Sequence, residues 1–404
     1  MRGHERSTAI AAALVLVIGM GFGRFAFTGL YPLMVNGGQI TVEGGSYAAS
    51  ANYAGYLIGA LFAGALSGIS SRKLCTFSMA ATVVTLGLLA LAIPEWLVVT
   101  VRGFAGAASA IAMVAASHWL IHDRHHHQGA PALFAGVGVG ILVSAEIIAA
   151  GSWASLSSHA LWLLLALVAL AIGLATLILQ ARGDSYKPER EPSSHDKAAV
   201  RTPPFGPVRL IVIYGLAGFG YIITATYLPL LVRSALATID PIHIWAVFGS
   251  GAIPSCFLWH SLHERWGTSR SLMANLGIQA IGVILPVMHS PLAYIGSALI
   301  VGGTFMGTVT IAMPAARRVA KSQRFNMLAI MTAAYGVGQI IGPLVATKLY
   351  GVTQSFDASL VVAGVALAIA SALAMPIGKR SKGHANPAGI EHPPNEPQLE
   401  KSSR

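Results

Sequence analysis

Charge is what this chain has least of. Only 10% of its 404 residues are Asp, Glu, Lys or Arg, against about a quarter in ordinary soluble domains. Acids are scarcer still, 15 against 26 Lys and Arg. A soluble chain of this length would hold two or three domains, each needing amphipathic helices to meet water, and no such helices are found. Cysteine is nearly absent as well. Cys75 and Cys256 both lie in or beside apolar runs, so neither a disulfide framework nor a zinc site is expected. No Gly-x4-Gly-Lys-Ser/Thr phosphate loop occurs, which excludes ATP binding of that kind, and His-Glu-x-x-His is missing too. With one acid inside the apolar runs, a membrane-embedded enzyme has too few groups to work with, and no cofactor is expected. Charge rings and filter sequences are missing, which argues against a channel.

What the chain has in abundance is apolar length. Over half the residues are apolar, 54%, and they come in uncharged runs such as Leu161 to Leu179 and Leu360 to Ile377. An α-helix needs about 20 such residues to cross the hydrocarbon layer. Backbone polar groups in lipid must be paired within their own segment, so these runs are predicted helices. The fold class expected is all-α and integral to the membrane, with twelve spans: 10–35, 47–70, 74–93, 96–120, 130–151, 159–181, 209–232, 242–262, 269–288, 291–315, 326–349 and 358–377. The N-terminal stretch could pass for a signal peptide, but it continues through Arg24 to Val35 and is read as an uncleaved first span.

Lys and Arg set the orientation, because cytoplasmic loops carry the excess. With the N-terminus inside, all but four of them fall on the cytoplasmic side. The exceptions are Arg233 and Lys348 in outer loops and Arg24 and Arg102 within spans. The net charge of +11 is thus topology rather than a nucleic-acid surface. Residues 182–208, rich in Pro, Ser and mixed charge, read as a cytoplasmic linker, and 379–404 as a disordered cytoplasmic tail.

The sequence repeats itself. Gly21-Phe22-Gly23, eight residues, then Pro32-Leu33-Met34-Val35 matches Gly218-Phe219-Gly220, eight residues, then Pro229-Leu230-Leu231-Val232, at an offset of 197. Ile111-Ala112-Met113 matches Ile311-Ala312-Met313 at an offset of 200. Two six-helix bundles, 1–181 and 209–378, are expected. Six being even, they run parallel about an axis along the membrane normal.

Over residues 8–378 the chain resembles the major facilitator superfamily. The loop Gly64 to Lys73 is similar to the family's Gly-x3-Asp-Arg-x-Gly-Arg-Lys signature, with Gly68 in place of the Asp. Glu264-Arg265-Trp266-Gly267 keeps the acid-Arg-x-Gly part. Gly21 to Thr28 and Gly338-Gln339-Ile340-Ile341-Gly342-Pro343 resemble the YbfB/YjiJ-type branch. The resemblance implies a secondary transporter in an inner (plasma) membrane, working by alternating access. It also implies a cytoplasmic latch through Arg72, Lys73, Glu264 and Arg265. A transporter-derived receptor is the alternative, and saturable flux in liposomes separates the two.

An ionisable side chain in hydrocarbon costs roughly 3 kcal/mol or more, so each marks a function or a partner. Arg24 lies near the midplane of span 1 with Gly21, Phe27, Thr28 and Tyr31 on its helical face. Its counterpart in span 7 is Tyr221, with Thr224 and Tyr227 nearby. If both helices line the central cavity, as the resemblance implies, Arg24 offers a charged fork to a carboxylate or phosphate. It could equally brace a carbonyl or an aromatic face. Arg102 and Glu146 lie at similar depth on consecutive spans and are expected to pair, either as a static bridge or as a proton-coupling site. Asn52 with Tyr56, and Tyr335 with Gln339, each present one polar face that could meet solute or pack helices. Asn275 and Gln279 are read as packing. The alternating glycines at 19–23 and 136–140 are read as close helix contacts, as are Gly55-x3-Gly59 and Gly64-x3-Gly68. Gly338-x3-Gly342-Pro343 is expected to bend span 11. The tract His122-Asp123-Arg124-His125-His126-His127 lacks ligand spacing, and no metal is expected. The partners expected are a small organic anion or zwitterion, H+ and the lipid bilayer, with the chain acting as a monomer. The charged chemistry is expected to concentrate in residues 1–181.

Overall fold

The computed structural model describes residues 3–65, 68–184, 205–232, 241–320 and 327–376. The expected linker and tail, and Arg233, lie almost wholly or wholly outside them. Among the described residues the chain forms helices joined by short turns. They are α1 (Glu5–Asn36), α2 (Val42–Ala65), α3 (Ser71–Leu89), α4 (Glu95–Asp123), α5 (Ala130–Trp153), α6 (Ser158–Asp184), α7 (Pro207–Val232), α8 (Ile242–Ile284), α9 (Pro291–Ala320), α10 (Met327–Thr353) and α11 (Asp357–Leu373). Nine of these described helices are long and apolar enough to cross a membrane. The exceptions are α11, which is shorter, and α2, which carries Ser46, Ser50, Asn52 and Tyr56.

The twelve expected spans are eleven continuous helices here. The turn expected between 262 and 269 shrinks to one residue, Gly267, at φ 74° and ψ 174° within α8. Only glycine takes that backbone conformation readily. Other boundaries follow local chemistry. Ser70 caps α3 by accepting from the Lys73 N–H, Pro94 opens α4 in an extended conformation, and Gly38 at φ 67° follows the end of α1.

The helices pack mainly in two groups, α1–α6 and α7–α11, which meet where α5 crosses α8, α2 crosses α10 and α1 crosses α7. The face carrying the N-terminus is called near, the opposite one far. Backbone contacts repeat between the groups. A Cβ on Gly106 would collide with the Asn52 carbonyl, and one on Gly302 with the Phe248 carbonyl. Gly55 abuts Gly103 as Gly251 abuts Leu299. The offset is 196 each time, so the 200 expected for spans 4 and 10 is corrected by one helical turn. Apolar helices rich in Ala match nearly as well one turn out of register, and only the glycine contacts fix it. The counterpart of Arg102 is therefore Ala298, not the Gly302 that an offset of 200 gives.

The alternating glycines do pack helices. Gly136 and Gly140 face the α1 backbone at Ala13 and Val17, while Gly138 between them faces Gly249 and Ile253 of α8. Gly68, by contrast, has nothing within 4 Å of a would-be Cβ. Asn275 packs α8 on α9, donating to the Thr304 carbonyl and accepting from Thr308 Oγ1.

Candidate functional site

Arg24 sits in the last turn of a π-helical segment, Val17–Phe25, inside α1. Three glycines, Gly19, Gly21 and Gly23, let this segment lie against Ala112, Gly140 and Thr82. The π register shows in the Ala26 N–H, which bonds the Gly21 carbonyl five residues back. Side chains in and after such a segment turn away from α-helical alignment. The expected face of Arg24 with Phe27 and Tyr31 is therefore split: Phe27 covers Arg102, with the guanidinium carbon 4.5 Å from its ring centre, and Arg24 turns toward α2 and α10.

There the Arg24 guanidinium lies over Tyr56 at 4.1 Å and Tyr53 at 5.0 Å. Its Nη2 donates to Gln339 Oε1 of α10 at 2.9 Å, and the Gln339 amide donates onward to the Tyr221 hydroxyl of α7. Tyr335 stacks on Tyr221, and Tyr221 on Phe305 of α9. The side chain is 3% exposed, yet its Nε has no partner among the described residues and no carboxylate there pairs with it. Arg24, Tyr56, Tyr221, Tyr335 and Gln339 are thus brought together from both helix groups, the charge coming from residues 1–181 and the amide and two of the rings from the second group.

Arg102 does not pair with Glu146. Its Nη1 and Nη2 donate to the carbonyls of Gly23 and Arg24 at 2.8 and 3.0 Å. Glu146 instead meets His243 Nδ1 of α8 at 3.0 Å, in a partly exposed pair. Equal depth on neighbouring helices says nothing about azimuth, and Glu146 faces the other group. Asn52, expected at the solute, donates to the Arg102 carbonyl at 2.9 Å and joins α2 to α4.

Toward the far face lies a second aromatic layer. The Tyr31 hydroxyl donates to the Val42 carbonyl at 2.6 Å, Tyr227 shares a 2.7 Å bond with Ser46, and Tyr227 stands against Phe356 at 4.6 Å between ring centres. Tyr31 and Tyr227 are therefore set apart from Arg24, and the buried Thr224 hydroxyl has no partner among the described residues. Hydrogen bonds that cross between the groups, such as Thr28 to the Ala225 carbonyl, Tyr53 with Thr226, and Trp245 to the Phe25 carbonyl, lie at the level of Arg24 or beyond it toward the far face. The Trp245 contribution has no sequence signal, being one indole among seven. The spacing Gly19-x-Gly21-x-Gly23 did signal the close contacts of the first helix, though not its π register.

At the near face, Glu264 pairs with His260 one turn before it, and Ser71 beside Arg72 and Lys73 bonds His118 of α4 at 2.8 Å. Neither bond crosses between the groups, and Arg265 is exposed. Among the described residues no group of three or more His, Cys, Asp or Glu is placed to hold a metal. In α10, Gly338 and Gly342 pack on α7 at Gly215 and Ile222, and the helix runs on through Pro343, whose carbonyl accepts from Tyr227.

A buried cation between two helix groups, in a chain of nine or more apolar helices, fits the comparisons with known proteins. No curated protein matches the chain. Among solved structures, a single-residue mutant of the nucleoside transporter NupG superimposes with a TM-score of 0.67 at 13% identity, over 92% of this chain and 99% of that one. At that identity the likeness is one of fold. The family model described as "Uncharacterised MFS-type transporter YbfB" matches residues 16–375. The chain is therefore a multi-pass membrane protein, a transporter of a small-molecule solute rather than an enzyme, and it belongs to the YbfB-type family of the major facilitator superfamily.

Proposed function

We propose that the protein is a secondary active transporter that takes a small organic anion or zwitterion at Arg24, between two six-helix bundles, by alternating access. The bundles are residues 1–181 and 209–378. Reading the two sides of Gly267 as separate spans brings the count to twelve, since each side is long enough to cross. The linker 182–208, the tail 379–404 and both termini are placed on the cytoplasmic side of an inner membrane by the distribution of Lys and Arg. The near face is then cytoplasmic. Hydrogen bonds between the bundles at or beyond the level of Arg24, such as Thr28 to Ala225 and Tyr53 with Thr226, support a conformation closed to the outside.

The observation that carries this reading is the state of Arg24. Among the described residues it is a buried, permanently charged guanidinium with a free Nε and no acid beside it. Such a group is costly in hydrocarbon unless a ligand's charge completes it. Being held by Gln339 of the other bundle, it is also the group through which a bound anion would be felt by both. Proton coupling is assigned to Glu146, whose bond to His243 spans the bundles. Arg102 acts by holding the backbone of Arg24.

Reconstituted in proteoliposomes, the wild-type protein should show saturable counterflow of an anionic solute. Arg24→Gln should weaken its binding by about tenfold or more, the worth of a charge-assisted hydrogen bond, while retaining the folded melting profile. Counterflow of equal affinity in Arg24→Gln would remove the arginine from the site.

A further inference from the structure

Resting on that reading of Arg24, we infer that the site selects a solute with one carboxylate and a flat, aromatic body.

Charge limits the solute to one negative group. Arg102, the other buried cation among the described residues, gives both Nη groups to carbonyls of α1. Its Nε is left over, but the Phe27 ring covers that guanidinium. Arg24 also has a free Nε, and its Nη2 partner Gln339 is neutral. It alone of the two stands beside the half-buried Tyr56 and the Gln339 amide, so one cation is within a solute's reach. A second carboxylate would be buried without a counter-charge, which is strongly unfavourable. The same holds for an α-ammonium group. No described acid stands beside Arg24, and the nearest ring faces, Tyr53 and Tyr56, already carry its guanidinium. Amino acids and dicarboxylates are thereby disfavoured. The free Nε offers a charge-assisted N–H donor to a single planar carboxylate.

Aromatic side chains set the body of the solute. Next to the Gln339–Tyr221 bond runs a row of nearly parallel rings from three helices. Tyr214 and Tyr335 lie at 4.5 Å and 29°, Tyr335 and Tyr221 at 5.8 Å and 23°, Tyr221 and Phe305 at 5.6 Å and 20°. Tyr335 is stacked between Tyr214 and Tyr221, and Tyr214, Tyr221 and Phe305 are buried. Tyr335 and Tyr56 are only half-buried, so a solute meets the row at the edge of the Tyr335 ring. An edge-to-face contact there rewards an aromatic body beyond the area it buries. An aliphatic chain of equal size gains only the area.

The test uses the full-length protein in detergent, with binding read by calorimetry and thermal shift. The probes are benzoate, cyclohexanecarboxylate, phthalate, phenylalanine and uridine. Benzoate should bind several-fold tighter than cyclohexanecarboxylate, and the other three should not bind measurably. Gln339→Glu is the decisive variant, because it places a carboxylate where Oε1 now accepts from Arg24. It should raise the melting temperature and abolish benzoate binding. Tyr335→Leu should weaken benzoate by up to about tenfold and leave cyclohexanecarboxylate unchanged. Equal binding of the two acids, both lost in Gln339→Glu, would overturn the aromatic selectivity and leave Arg24 as the anion site. Phthalate or phenylalanine binding as well as benzoate would overturn the single-charge argument. Uridine binding alone, unaffected by Gln339→Glu, would sink this inference and the Arg24 reading together.

Discussion

Arg102 touches Arg24 through the backbone, its Nη2 donating to the Arg24 carbonyl and its Nη1 to that of Gly23. Both carbonyls belong to the π-helical segment that aims Arg24 at α10, so Arg102 positions Arg24 without needing to meet solute. Lysine cannot reproduce two divergent donors on one planar group. Arg102→Lys should therefore lower stability by about 1–3 kcal/mol, the cost of a buried unsatisfied polar group. It should also weaken solute binding, and melting curves and titrations on one preparation check both effects. Unchanged affinity in a destabilised variant would reduce Arg102 to a structural brace. At this scale the sequence singled out the right residue types. Arg24, Arg102 and Glu146 stand out because charge in an apolar run is expensive. Their partners did not, since Gln339 is hundreds of positions away and Glu146 turns toward His243 by azimuth, which depth along a helix leaves open.

Among the elements, the packing of α2 on α4 and of α8 on α9 is one contact made twice. Gly106 meets Asn52 and Gly302 meets Phe248, backbone against backbone. Gly106→Val and Gly302→Val should each destabilise the protein by about 1–3 kcal/mol or more, through overpacking. Gly87→Val should be near neutral, since nothing lies within 4 Å of that position. A melting series over the three variants would contradict the repeat if only one of the first two mattered. Helix existence was legible from apolar length and glycine contacts from their spacing. Register within the repeat was not, because Ile-Ala-Met runs match a turn apart. Nor was the π segment, whose extra residue per turn leaves the apolar pattern of α1 intact while turning Arg24 away from Phe27.

For the whole molecule, the far face is the tied one in this conformation, by Ser46 to Tyr227, Thr28 to Ala225 and Glu146 to His243. If the last of these carries the proton, Glu146→Gln should abolish solute accumulation driven by a pH gradient while leaving solute counterflow intact. Accumulation that still follows ΔpH would end the proton role of Glu146. The two-group architecture was legible in the repeat of the sequence. Candidates for the central site were legible in both groups, Arg24 and Tyr56 in the first and Tyr221, Tyr335 and Gln339 in the second. Which of them meet was not, because Tyr31, Tyr227 and Asn52 share the same spacing yet turn elsewhere. The alternating glycines of α5 carry one more consequence. Where α5 crosses α8, Gly138 and Gly249 meet as bare backbone, and the side chain that reaches Gly249 is a single methyl group, Ile141 Cγ2. Two such surfaces turn on each other without having to unmesh, as a smooth bearing does. Resistance to rocking then resides in the far-face hydrogen bonds, so the rate of opening should be set by a few polar contacts rather than by the large apolar interface around them.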